Sequence, residues 1–352
     1  MTEWTLAECH VLYDRCEGIN GGILTRSAEG WDVTTIEQLG GYSALLPLHL
    51  GTPGTSMRVN VEIDMQAGCI GLALVDDYLT LLHERRTTHY GLARLGLEAF
   101  DATRVRGLLV RNMSVFPGPS RARLRAITFE AAPILWQIEP PAATTAGPVC
   151  LPLRRYTEST HGAETNGTWH TDVRHFAVRD VVLVVMDAWA THDSAGWMQR
   201  AEANMRQNLA PLLQAVRTAG IRVIHASHDR TPHPLVAPAE GDIVLDGAVS
   251  TQSFVDLLEH LGTRLIVYTG YSSNMCVMTR PIGLLHMQNR GFELALVRDA
   301  SLAMETPDTL AGEWMHAAMV NFVELNLAAT VTAREMSAAA YAAAGMPAKA
   351  AE

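Results

Sequence analysis

One cysteine in this chain stands where a thiol can act as a nucleophile. In Gly270-Tyr-Ser-Ser-Asn-Met-Cys276 it follows the apolar run Arg264–Thr269, which reads as a buried parallel strand. It also opens a stretch, Asn274–Arg290, that reads as a helix closed by Gly291. In a first helical turn the unpaired N–H groups and the positive end of the helix dipole favour thiolate, so the expectation is a lowered pKa and a reactive sulfur. The plainer alternative is a buried structural cysteine. A second candidate is Asp187, which directly follows Asp180–Met186 (DVVLVVM), the most continuous apolar run in the sequence. That position is the C-terminal edge of a parallel strand, where open α/β sheets bind their ligands. Acid and thiol on one rim is the arrangement in which a carboxylate takes the thiol proton; the plainer reading of Asp187 is a turn or helix-cap residue.

The pieces VVLVVMD187, GYSSNMCV277 and LALVRD299 come in the order and on the elements found in the isochorismatase-like cysteine hydrolases, and residues 178 to 336 resemble that superfamily. One branch is similar in more detail, through Asp187-Ala-Trp189-Ala-Thr-His192 and Asn274-Met-Cys276-Val-Met-Thr-Arg280-Pro-Ile-Gly283. The resemblance implies Asp187 as general base, Cys276 as nucleophile and a cis peptide at Tyr271–Ser272. It also implies an oxyanion hole made by the backbone N–H groups of Ser272 and Cys276.

The family's third catalytic residue is a lysine between the second strand and the cysteine, and here the only lysine is Lys349 near the C-terminus. Leu245 or Asp246 stands in its place. A buried Asp187 needs a cation to stay ionised, so one must come from elsewhere. His192, His225 and His228 are the first candidates, then Arg230 and Arg280. Trp189, His192, His225, His228 and Tyr271 are the expected pocket or substitute-acid residues. His225, His228, Asp229 and His233 have the residue types of a zinc site, but their spacing does not match the family's Asp-x-His pattern, so neither metal nor other cofactor is expected.

The elements that must carry these groups alternate from residue 178 onward. Strands are expected at Ile221–Ala226, Arg264–Thr269 and Phe292–Val297, and helices at Met198–Ala219, bent at Pro211, and Ser253–Leu261. This is an α/β, Rossmann-like parallel sheet with helices on both faces, spanning residues 178–336. Residues 1–140 alternate with period two instead, at Leu46, Leu48, Leu50, at Met57 to Met65 and at Ile70, Leu72, Leu74. They read as an all-β sandwich or jelly roll, with a slip of alternation between Ala126 and Ile127 that suggests a bulge. With Trp4, Trp31 and Tyr42 the region is loosely like the carbohydrate-binding sandwiches appended to enzymes, although a scaffold or contact role weighs more. Residues 141–177 read as a linker and an aperiodic loop that would fold over the site, and residues 337–352 as a loose helix or alanine-rich tail.

Composition narrows the function classes. A formal net charge of −10 over 352 residues, with no basic block, argues against nucleic acid. No apolar stretch reaches membrane-spanning length, and five scattered cysteines fit a reducing, cytoplasmic setting. The expected partners are a small-molecule substrate and further copies of the chain, as a dimer or tetramer. The reading is a cysteine hydrolase of small amide or ureide C–N bonds acting through an acyl-enzyme. Its rival is an inactive relative that keeps the fold as a binding or scaffold protein, and vinyl-ether hydrolysis is disfavoured because true isochorismatases lack the cysteine.

Overall fold

The computed structural model describes residues 9–50, 57–88, 90–99, 102–131, 146–157, 167–228, 230–245 and 248–347. Trp4, residues 140–145, Asp229, Asp246 and Lys349 lie outside them. The chain divides into two compact units, Met1–Ile138 with Gly247–Leu257, and Glu139–Asp246 with Leu258–Glu352.

The first unit is built on the period-two alternation. Two antiparallel sheets, one ordered Ile23–Ser27, Gly30–Thr34, Arg121–Ala131, Met57–Ala67, Gly91–Ala99, share one apolar core. Val59, Val61 and Ile63 enter that core from this sheet and Leu46, Leu72 and Leu74 from the other, all fully buried, so one residue in two faces inward as the pattern requires. The bulge lies at Arg125, one residue earlier than the alternation suggests: Leu124 pairs with Ile63 and Ala126 with Glu62. The unit also takes in residues 247–257, because Val249 pairs with His83 and adds an edge strand.

The second unit is the α/β one. Its strands are β1 (Val149–Thr157), β2 (Thr168–Phe176), β3 (Val181–Met186), β4 (Arg222–Ala226), β5 (Ile243–Leu245), β6 (Leu265–Tyr271), β7 (Glu293–Leu302) and β8 (Ala329–Val331). They lie in the order β2-β1-β8-β7-β6-β3-β4-β5. The six from β3 to β8 are parallel, and β1 and β2 close one edge antiparallel. Strand β3 is buried at every residue. Its odd members Val181, Leu183 and Val185 join a core with Leu209, Leu212, Leu213 and Val216, and the even members are equally covered, as a parallel sheet demands. The chain leaves β3 toward β4 on one side and returns through β6 on the other, so the order reverses between β3 and β6. The loops after those two strands carry Asp187 and Cys276.

Several expected elements come out differently, each for a local reason. The helix expected over Met198–Ala219 is α1 (Ala195–Asn204), a π-turn (Met205–Leu209) and α2 (Ala210–Thr218); Pro211 has no N–H to donate, and the wider turn ahead of it takes up the mismatch. The helix expected over Asn274–Arg290 is two single turns, α3 (Cys276–Thr279) and α4 (Leu284–Met287), because Pro281 drives Arg280 into extended backbone, φ −61° and ψ 152°. The stretch read as an aperiodic loop holds strands β1 and β2. Beyond α5 (Trp314–Asn326), residues 337–343 are the second half of a packed helix, α6 (Ala333–Ala343), capped by Thr332 and Glu335. Its alanines are small enough for close approach, and Ala339, Ala340 and Ala343 are buried.

Candidate active site

Asp187 follows β3 directly, with a left-handed φ of +45° and its N–H donating to the Ala226 carbonyl at 3.0 Å. Next door, Gly270 of β6 comes so close to Met186 that any Cβ would collide with its backbone, and its φ of +107° suits glycine alone. The two strand ends can therefore sit side by side. Beyond Gly270 the Tyr271–Ser272 peptide is cis, as the resemblance implies. Asn274 then clamps the loop, donating to the Met304 carbonyl at 3.1 Å and accepting from the Met304 N–H at 3.0 Å. Ser273 is held as well: the Arg298 carbonyl can only accept, so His316 Nε2 carries the proton, and His316 Nδ1 accepts from the Ser273 hydroxyl at 3.0 Å.

Among the candidate cations, Arg280 reaches Asp187. Its Nε and Nη2 both donate to Asp187 Oδ2, at 2.8 and 2.6 Å, and the carboxylate side chain is 1% exposed. The Arg280 N–H still donates to the Cys276 carbonyl at 3.2 Å, so residue 280 lies one turn beyond Cys276 on the same face, within reach of Asp187. Gly283 lets the turn fold tightly, as a Cβ there would stand 2.7 Å from the Val277 carbonyl oxygen. The Tyr268 hydroxyl pins it by donating to the Ile282 carbonyl at 2.7 Å.

Burial pushes the Asp187 carboxyl above its ordinary pKa, even though Arg280 pulls it back, and the Cys276 thiol and Trp189 help in the same direction. Its Oδ1 is buried with no donor in hydrogen-bonding geometry. The Cys276 thiol is pushed up to about 11, first by burial and then by the neighbouring carboxylate, against the opposing effects of Arg280 and the Ser272 N–H. This corrects the expectation of a lowered thiol pKa. A single helical turn has little macrodipole to offer, and the nearest full charge is negative.

Of the other expected residues, Trp189, His192 and Tyr271 line a tight cavity of about 10 Å³ with Asp187, together with Trp197, Met198, Ala201 and Met205. His192 stacks near Trp189, ring centroids 6.4 Å apart, and the Tyr271 hydroxyl donates to Asn204 Oδ1 at 2.9 Å. Arg230 lies 4.2 Å over the Trp189 ring. His225 is not brought to this cluster: it is buried beside Asp242, with Nε2 at 3.1 Å from Oδ2, in a network with Arg217. His228 sits in the loop after β4 with φ +50°, and His233 Nδ1 accepts from the Leu235 N–H. Among the described residues no three His, Cys, Asp or Glu side chains gather as metal ligands would. Asp299 serves the fold, its carboxylate accepting from the Ala333 N–H at 2.6 Å. Trp197, Asn204 and the Ser273–His316 pair carry no spacing signal, Met205 reads only as part of a helix's apolar face, and the signal for Arg280 is its place one turn after Cys276.

Residues 180–335 match the isochorismatase domain. The secreted isochorismatase effector Isc1 of Verticillium dahliae is 25% identical over 169 residues, 42% of this chain and 86% of the relative. Among solved structures, a cysteine hydrolase from Pseudomonas syringae is 17% identical with a TM-score of 0.41, over 48% of this chain and 95% of its own. N-carbamoylsarcosine amidase from Thermoplasma acidophilum is 14% identical with a TM-score of 0.32, over 44% and 96%. The match spans strands β3 to β8, which carry the site, and leaves β1, β2 and residues 1–138 outside it. No helix among the described residues is long and apolar enough to cross a membrane.

Proposed function

We propose that the chain is a cysteine hydrolase of small amides or ureides, in which Arg280 does the work of the absent lysine. The observation that carries this is the two-bond grip of Arg280 on one oxygen of Asp187 beside Cys276. It leaves Oδ1 unbonded and ready to accept a proton. The thiol is neutral at rest, so the proton passes to Asp187 as sulfur attacks the carbonyl carbon, and thiolate does not accumulate beforehand. The backbone N–H groups of Ser272 and Cys276 receive the oxyanion. The protonated Asp187 then returns its proton to the leaving nitrogen, and water hydrolyses the thioester. Trp189, Trp197 and Tyr271 favour a small, flat acyl group.

The inactive-scaffold reading rested on a missing cation, and Arg280 removes that ground. The five unpaired cysteines support a reducing compartment, while the Verticillium dahliae relative is a secreted protein. Incubation with a panel of carboxamides and ureides, followed by mass spectrometry, tests the proposal. An acyl adduct on Cys276, absent in Cys276→Ala, is expected; no adduct and no turnover across the panel would return the scaffold reading.

A further inference from the structure

Strand β2 is the last in its sheet, and eight of its nine residues are exposed, Val173 by 58% and Trp169 by 52%. Its inner edge pairs with β1 from Val149↔Phe176 to Thr157↔Thr168. Its outer edge has no partner strand among the described residues. The sequence Thr-Trp-His-Thr-Asp-Val-Arg-His-Phe holds neither the lysine nor the proline that usually keeps such an edge from pairing. We infer that this edge docks on the same edge of a second copy of the chain, antiparallel and centred on Val173.

The backbone chooses which residues can pair. Pro152 stands opposite Val173 and has no N–H, so that pair is of the non-hydrogen-bonded kind, and Val173 turns its own N–H and carbonyl away from β1. By alternation Trp169, Thr171 and His175 do the same. Among the described residues no strand pairs with this ladder. A two-fold axis through the Val173 pair joins Val173 to Val173 and Thr171 to His175 by exchanged backbone bonds.

Charge then chooses the register. Centred on Val173, each Asp172 lies opposite the other copy's Arg174 in a non-hydrogen-bonded pair, where side chains come closest. Centred on Asp172, two carboxylates would meet; centred on Arg174, two guanidinium groups would. Centred on Thr171, Asp172 would meet only His170. Arg174 already holds Glu293 of its own chain through Nη2 at 2.8 Å, which steers the guanidinium and leaves its other nitrogens for the second carboxylate.

Sedimentation of the full chain tests this. The wild type should run at twice the chain mass, or at a larger even multiple. Val173→Pro removes an N–H that the chain does not use internally, so the fold, followed by circular dichroism and melting, should persist while the assembly halves. Asp172→Arg and Arg174→Asp should each halve it too, and mixing those two variants should restore it, since Arg then meets Asp at both positions. If Arg174→Asp is unstable beside Glu293, Val173→Pro and Asp172→Arg still decide the matter. A monomeric wild type, or an assembly unchanged in both of those variants, overturns the inference.

Discussion

Asp187 and Asp242 invite comparison, because each is a buried aspartate gripped by an arginine in the same α/β unit. Asp242 is fully served. Arg217 donates to both of its oxygens, at 3.3 and 2.5 Å, His225 stands at 3.1 Å, and the Ala239 N–H donates at 2.9 Å. Its pKa is lowered to about 2: burial raises it, but the bonds from His225, Arg217 and the Ala239 N–H outweigh that. Asp187 has Arg280 on Oδ2 and an idle Oδ1, so burial wins and its pKa goes up. The same pair of residue types thus makes a structural anchor in one place and, in the proposed mechanism, a base in the other. The difference lies in how many lone pairs are left unspent.

Four experiments sharpen or break that contrast. The largest effect should come from Cys276→Ala, which is expected to end turnover while thermal stability stays near that of the wild type; residual hydrolysis would remove the thiol from the chemistry. Next is Arg280→Met. It strips away the main influence that lowers the Asp187 pKa, so the carboxyl climbs further, and turnover at neutral pH should fall by about two to four powers of ten. The pH profile carries the sign: the working form has Asp187 ionised and Cys276 protonated, so the rate rises as pH climbs through the raised Asp187 value and falls beyond about 11. In Arg280→Met the acid limb should move to higher pH, and in Arg280→Lys it should move less. An acid limb that stays put would show that Arg280 does not govern the base.

Asp242→Asn should do the opposite, costing stability and sparing the chemistry. Removing one member of a buried pair costs about 3 kcal/mol, at the low end of the usual range because Arg217 is 29% exposed. The folded-state pKa of Asp242 is depressed, so its contribution is present at neutral pH and lost as pH falls toward about 2. Urea titrations at neutral and acid pH should show the gap between wild type and variant closing as pH drops, and equal loss of turnover and stability would undo the contrast. The smallest effect concerns labelling. With its thiol pushed up to about 11, Cys276 should react with iodoacetamide about tenfold faster per pH unit over neutral to alkaline pH, without the plateau near pH 7 that a preformed thiolate gives.

The first unit supplies the plainest case of a legible sequence. Its strands alternate every second residue and bury that face, so Met57 to Met65 could be placed inside by pattern alone. Strand β2 had no such signal, because a strand exposed on both faces has no reason to alternate. For helix α6 the sequence leaves helix and tail both open, as alanine is neutral between surface and core until a neighbour is close enough to cover it.

At the site, residue order determined a good deal by itself. An apolar run ending in Asp187, and Gly270 to Cys276 after the next central strand, put acid and thiol on one rim, since strand ends at a topological switch point are close wherever that fold forms. Residue order could not choose among His192, His225, His228, Arg230 and Arg280 for the absent lysine, all of them basic residues in loops or near strand ends. Tertiary structure brings Arg280 to Asp187. Arg280, one turn beyond Cys276, extends its guanidinium onto the carboxylate, while the alternation of β4 sent His225 to Asp242. The sequence likewise placed Cys276 in a first helical turn, but whether its pKa fell or rose depended on the helix's length, the burial of the sulfur and the carboxylate beside it. Those are sums over neighbours in space, and no local stretch of chain contains them.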